Sequence, residues 1–338
     1  MSGLAVFGFK MPSLLQFEKA PSDTCMRERL DIVSPRKLRR PFKKIFAYLQ
    51  RGKVLESYRY LNGRIVYYHH MLGAVLVHPD HREVIPLAPE PIVKSDGDTK
   101  NDCERNAAKR LLSDLRREHP HLKVLIVEDG LASNFPHLSL LDSLNMQYVI
   151  GVKPGDHKYL FDWIKDSKPM VHQYTDDAGV PLNDANHDYR ANVLEYWETK
   201  KDGRKQHFSW VTKLALTSDN VYDVMRAGRA RWKIENETFN TLKNQGYNFQ
   251  HNYGHGYKNL CSVMTMLMML AFLIDQVQQL CCQVYQKARK HVGTLRGLFE
   301  KVRNRIDIGI WESWQHLYTF IGDPSSRPPP IGSAWLIA

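Results

Sequence analysis

The sequence predicts an α/β fold that carries a β-rich insertion and ends in a helical C-terminal region. Three observations predict it. Between residues 123 and 152 a short apolar strand runs into an acidic turn, a helix follows, and a second apolar strand closes the unit. Residues 168–216 then change character, with turn clusters separating β-branched and aromatic runs. From Asn220 the apolar spacing is mostly helical until a Pro-rich tail at Pro328, Pro329 and Pro330.

In chain order, residues 1–33 are irregular and contain prolines. Residues 34–53 form a basic amphipathic helix, with Phe42, Ile45, Phe46 and Leu49 on one stripe and Arg39, Arg40, Lys43 and Lys44 among its charges. Two readings of that helix stand: a solvated face, or a face that meets a polyanion. Residues 65–77 and 84–91, separated by the turn at residues 78–82, read as two antiparallel strands. Residues 101–118 make an amphipathic helix with Ala107, Leu111, Leu112 and Leu115 inward. A strand over 123–128 leads into Asp129-Gly130, a helix covers 136–144, and a strand covers 147–152. In the insertion, turn clusters at 175–179 and 201–204 flank β-rich runs at 191–199 and 206–217. One continuous helix is expected over 225–244. No internal repeat or low-complexity tract interrupts this order.

The apolar and charged fractions are those of an ordinary globular chain, but the net charge is +11 and the pI is near 9.3. Such an excess favours a polyanionic partner, because each Lys or Arg set against a phosphate releases counterions. The five cysteines, Cys25, Cys103, Cys261, Cys281 and Cys282, have no zinc-ligand spacing. Their odd number fits reduced thiols in a cytoplasmic compartment. The first ten residues lack the basic and apolar segments of a signal peptide. The longest apolar run, 260–274, is closed by Asp275 and falls short of the roughly twenty residues that span a bilayer. A buried core helix, with no membrane partner, is the expectation there.

Two carboxylates stand out. Asp129 sits where the strand Val124-Leu125-Ile126-Val127-Glu128 ends, and sites form at the carboxyl ends of strands in open α/β sheets. It can hold a cation, or it can cap the next element. Glu235 is four residues after Arg231, so the two share a helix face. On an unbroken α-helix Lys243, eight residues beyond Glu235, lies about 80° further round. Trp232 packs in the core or stacks on a base.

The string Arg231-Trp232-Lys233-Ile234-Glu235 running on to Lys243 and Tyr247 resembles the signature helix of insertion-sequence DDE transposases (the IS-four-like group). The stretch Val127-Glu128-Asp129-Gly130-Leu131, followed by Tyr148 to Lys153, is similar to the part of that family holding the second carboxylate. The resemblance implies an RNase H-like mixed sheet flanked by helices. It divides the chain into an N-terminal helical, basic DNA-binding region (1–60), a first part of the catalytic domain (61–165), and a β-rich insertion (166–218). A second part with the Glu helix (219–290) and a C-terminal tail (291–338) complete the division.

It also implies DNA transposition. Phosphodiester cleavage at element ends and strand transfer into target DNA would depend on two Mg²⁺ ions about 4 Å apart, with Mn²⁺ as substitute. Asp129 and Glu235 would be catalytic metal ligands, while Arg231, Lys243 and Lys153 would hold DNA, as would Arg39, Arg40, Lys43 and Lys44 of the basic helix. Terminal inverted repeats and target DNA would be the partners of a homodimer in a synaptic complex, at the nucleoid of a bacterial cytoplasm. The alternative is a non-catalytic DNA-binding protein of transposase descent.

Three departures qualify this picture. Gly228 stands where the family usually has a Tyr, three before the Arg. The gap from Glu235 to Lys243 is one residue longer than the commonest form. Above all, no Asp lies on an opening strand: residues 56–64 read Glu-Ser-Tyr-Arg-Tyr-Leu-Asn-Gly-Arg and pass straight into Ile65. Asp31 comes too early and Asp80 too late. A deletion of the first strand with its Asp is the expected cause, leaving neighbouring strands uncovered.

Overall fold

The computed structural model describes residues 23–52, 60–66, 71–97, 99–166, 180–181, 189–251 and 256–326, with residues 4, 7 and 8. They fall into two units. One is residues 55–235; the other joins residues 1–54 to 236–338. Along the chain come α1 (Asp23–Asp31), α2 (Pro35–Arg51), β1 (Tyr60–Val66), β2 (Met71–Val77), β3 (Ile85–Pro86), β4 (Glu90–Pro91) and α3 (Lys100–Glu118). Then follow β5 (Leu125–Glu128), α4 (Phe135–Ser143), β6 (Gln147–Gly151), α5 (Lys158–Asp166), β7 (Val180–Pro181), β8 (Arg190–Thr199), β9 (Lys205–Thr212) and α6 (Val221–Ala230). After α6 the chain forms a π-helix (Ile234–Phe239), α7 (Asn240–Asn244), α8 (Leu260–Cys281), α9 (Gln283–Val292), α10 (Leu295–Ile308) and α11 (Trp314–Gly322).

The unit of residues 55–235 is an α/β domain on one mixed sheet, ordered β3-β2-β1-β5-β6-β9-β8-β7, with β4 also on β2. β1 pairs antiparallel with β2 and parallel with β5, and β5 is parallel to β6. This is the RNase H-like mixed sheet. All seven residues of β2 are buried, as expected of a strand covered on both faces. The run expected as one strand over 84–91 is broken into β3 and β4. Pro86, Pro89 and Pro91 remove the donors that a continuous strand would need. Arg110 of α3 ties that edge down, donating to Glu90 at 2.7 Å, to the Pro91 carbonyl at 2.9 Å and to Asp96 at 2.9 Å.

The gap expected in the sheet is not there. The stretch anticipated as a single strand over 65–77 divides into β1 and β2, and β1 takes the place between β2 and β5. Residues 60–66 pair with β2 and residues 60–62 also pair with β5, so β1 joins the two strands where a gap was expected.

The β-rich insertion also differs from an independent module. β8 and β9 form a long hairpin, turned at Lys200–Arg204 with Gly203 at φ +80°. β9 then pairs with β6, so the hairpin extends the central sheet. On one face Val149, Leu194, Trp210 and Leu216 pack with Val224 of α6. On the other, Ala108, Leu111 and Leu112 of α3 line a small cavity with Leu72, Ala74, Ile126 and Glu128.

The second unit is helical and is built from both parts of the chain that flank the α/β domain. Its core helix is α8, with Met264, Met266, Met268 and Met269 all buried. α8 packs against α1, α2 and α9. At 22 residues it is longer than the apolar run suggested, and long and apolar enough to cross a membrane; 67 % of its apolar window is buried inside the unit. Asp31, at the end of α1, caps it. The carboxylate accepts from the backbone N–H groups of Tyr257 (2.8 Å), Lys258 (2.9 Å), Asn259 (2.8 Å) and Leu260 (2.9 Å), so it serves the orphan donors of the helix start. Asp275, buried on α8, accepts a hydrogen bond from the fully buried Tyr247 hydroxyl. The expected boundary at residue 290 shifts accordingly. Residues 236–290 belong to the helical unit, and the expected tail over 291–338 carries α10 and α11.

Candidate catalytic site

Asp129 follows directly on β5 and starts the 3₁₀ turn Gly130–Ala132, its Oδ1 accepting from Leu131 N at 3.1 Å. The side chain is exposed. The capping reading is the one seen: one oxygen caps the turn and the residue is exposed. Strand alternation fixes its face. Ile126 and Glu128 line the α3 side, and Leu125 packs with the α6 cluster, so Asp129 continues the α6 side.

The turn behind it is held at several points. Ser133 Oγ donates to the Gly130 carbonyl at 2.6 Å and lies 2.7 Å from His157 Nε2. The Ser proton is used on the carbonyl, so the imidazole N–H donates to Ser133. Asn134 Nδ2 donates to the Leu131 carbonyl at 3.0 Å, while its Oδ1 accepts from His137 N at 3.1 Å. On the opposite face Glu128 pairs with the buried His137, Oε2 to Nε2 at 2.6 Å. Burial opposes a charged imidazole there, but the Glu128 carboxylate prevails and raises the His137 pKa. Glu128 and His137 escaped the sequence reading because nothing local marks a pair nine residues apart across a strand end and a helix.

α6 lies on the Asp129 side of the sheet. Its Gly228 rests on the indole of Trp210, and a Cβ there would come within 2.5 Å of Trp210 Cε2. Trp210 fills the space that a larger residue at 228 would need, which accounts for the missing Tyr. Beyond α6 the half-buried Arg231 and Glu235 pair, Nη1 to Oε1 at 3.4 Å. Trp232 is 49 % exposed, which removes the core reading.

The expected single helix over 225–244 is not continuous, because Glu235 sits in the π-helical segment. Each π turn closes over one residue more than an α turn, the same excess that the Glu235–Lys243 spacing carries. The 80° relation derived for an α-helix therefore does not hold.

The turn after β2 is engaged with this region. Arg226 of α6 pairs with Asp80, and Lys233 Nζ donates to the His81 carbonyl. Arg226 holds the Asp80 carboxyl below its usual pKa against the opposing pull of desolvation. Asp31, the other acid near the expected place in sequence, is committed to the cap of α8.

β1 decides what lies beside Asp129. Its register sets Leu61 level with Ile126 and Asn62 level with Val127. The pairing ends there; counted on in the same register, position 64 would correspond to position 129. The seven residues of β1 contain no Asp or Glu. Among the described residues no three His, Cys, Asp or Glu side chains gather as a metal site.

Lys153 is exposed just after β6, and Lys243 is half-buried in α7. On α2, Arg40, Lys43 and Lys44 are exposed, but Arg39 is only 7 % exposed and faces inward with Phe42, Phe46 and Leu49. Arg39 is therefore corrected from a surface contact to a buried residue.

The chain matches the family described as the transposase DDE domain over residues 59–273, from the first strand into α8. It belongs to that family. No curated protein matches the chain. The match takes in the mixed sheet, Asp129 at the end of β5 and the Arg231–Glu235 segment after α6. The match stops within α8, so α9, α10 and α11 lie outside it.

Proposed function

We propose that this DDE transposase-family chain binds DNA and that its strand-cleaving centre is incomplete. The observation that carries this reading is β1: a central strand paired with β5, the strand that leads into Asp129, and containing no carboxylate. A two-metal centre needs converging oxygen ligands that offset four positive charges. Asp129 has one oxygen on Leu131 N, and Glu235 faces Arg231. This donor set does not fit a pair of Mg²⁺ ions. Arg231, Lys153 and Lys243 then serve to hold phosphates, and the exposed Arg40, Lys43 and Lys44 contact the DNA backbone. Element ends and target DNA remain the natural ligands, brought together by two copies of the chain at a bacterial nucleoid. Cleavage is weak or absent.

The test is Mn²⁺ binding, followed by electron paramagnetic resonance, alongside nicking of a supercoiled plasmid. The unaltered chain should show neither specific Mn²⁺ binding nor nicking. Arg64→Asp should gain Mn²⁺ binding that is lost again in Arg64→Asp with Asp129→Asn. A gain with Asn62→Asp in place of Arg64→Asp would refute the register. Robust nicking by the unaltered chain, abolished by Asp129→Ala, would overturn the proposal.

A further inference from the structure

Beyond the family match, α9, α10 and α11 form a cluster with its own core. Tyr285 and Ala288 of α9, Leu298 and Val302 of α10, and Leu317 and Tyr318 of α11 are buried together. α9 and α10 are joined by two residues only, Gly293-Thr294. Gly293 has φ +85° and closes α9 through its N–H on the Arg289 carbonyl at 3.0 Å. Thr294 caps α10, its Oγ1 accepting from Gly297 N at 3.1 Å. A short Gly turn and a third packed helix fix α10 in place and leave its outer face open, and a fixed helix with an open face can enter a groove.

The outward face of α10 has the matching chemistry. Leu298, Phe299 and Val302 point inward. At 100° per residue the opposite side carries Arg296, Glu300, Asn304 and Lys301, all exposed. Arg, Asn and Glu are the side chains whose geometry suits guanine, adenine and cytosine edges in the major groove, and Lys suits phosphate. Glu300 lies 3.2 Å from Arg296, so its charge is offset where it would otherwise repel the backbone. Lys287, Lys290 and His291 are exposed on the adjoining end of α9. Residues 283–322 hold seven Lys and Arg against three Asp and Glu.

We infer that α10 is a second DNA-contacting helix, docked in the major groove of duplex DNA and acting independently of α2. This rests on the reading that the chain binds DNA, but on a different surface. The experiment uses the full chain and a labelled mixed-sequence duplex about three helical turns long. Affinity is followed by fluorescence anisotropy across a salt series. The unaltered chain should bind with a steep salt slope. Lys290→Gln, Arg296→Gln and Lys301→Gln together should reduce that slope by about 2, since the two lysines are the phosphate contacts and each one lost removes about 0.9. Arg40→Gln, Lys43→Gln and Lys44→Gln should cause a separate loss, and the two losses should multiply when combined. Selection from randomised duplexes should return a different preferred base for Asn304→Ala. A matched control, Lys123→Gln, Lys158→Gln and Lys201→Gln in the α/β domain, should change little. If the α10 variant keeps its circular dichroism and its slope while the α2 variant loses affinity, this inference falls and the proposed function stands. If the control set loses as much as the α10 set, the effect is general charge and the inference falls. Absence of binding by the unaltered chain at any salt would remove both.

Discussion

The two units differ most in charge. The helical unit, residues 1–54 with 236–338, carries 22 Lys and Arg against 10 Asp and Glu, a net +12. The α/β unit, residues 55–235, carries 25 against 26, a net −1. The whole excess that marks the chain as a partner for polyanions therefore belongs to the helices, and the unit with Asp129 and Glu235 is neutral. Affinity and chemistry are assigned to different parts. A neutral catalytic unit can place a few cations, such as Arg231, at chosen points without a general field that would bind DNA in any register.

The largest expected effect breaks that comparison directly. Replacing Arg40, Lys43 and Lys44 with Gln should lower DNA affinity by about a hundredfold near 0.1 M salt and flatten the salt slope by about 2–3. Removing three exposed lysines from the α/β unit, Lys123, Lys158 and Lys201, should change affinity by a few-fold at most. Equal losses, measured by anisotropy, would show that charge is not partitioned in function as it is in sequence.

How much of this was legible in the sequence follows the same division. The α/β unit is one contiguous segment, so its signals are local. The strand before Asp129, the strand over 147–151 and the Arg231–Glu235 spacing could each be read from a window of a few residues. The helical unit is assembled from segments that flank that domain. Asp31 finds Leu260 across 229 residues, and no window contains both. The helical spacing over 295–322 was legible, but not that α10 and α11 pack with α9 around a common core, because those contacts join separate segments. β1 was missed because Asn62-Gly63 is a poor strand sequence, held by pairing on both sides. The π-helix was missed because its cause, one extra residue, leaves the apolar periodicity nearly intact.

Within the α/β unit the sharpest stability test is Gly228. Gly228→Tyr forces a large side chain into the Trp210 indole and should destabilise this unit by about 1–3 kcal/mol. Adding Trp210→Ala should recover part of the loss, a coupling readable in a double-mutant cycle by urea unfolding. Full additivity would mean that Trp210 is not what keeps position 228 small. In the helical unit the counterpart is Tyr247→Phe. It leaves Asp275 buried without its hydroxyl donor, at a cost of about 1–3 kcal/mol, and the loss should appear in the transition that melts α8. A loss shared equally by probes in both units would show that they unfold together.

The smallest effects are opposite in sign with pH. Burial raises the Asp31 pKa, but the backbone donors at Lys258, Tyr257, Leu260 and Asn259 outweigh it and leave the value depressed. Its contribution is therefore complete above the unfolded value of about 3.9 and is lost as pH falls through the lower folded value. His137 is the reverse case. Its folded pKa is raised by Glu128, so the stabilisation is complete below the unfolded value of about 6.5 and fades as pH rises through the folded value. The helical unit should thus weaken on the acid side, with Asp31→Asn flattening that limb. The α/β unit should lose a smaller increment above neutrality, with His137→Gln removing the dependence. Hydrogen exchange separates the two, because amides of α8 and of β5 report the units individually. Acid-side loss in β5 that Asp31→Asn abolishes would contradict the assignment of that carboxylate to the helical unit alone.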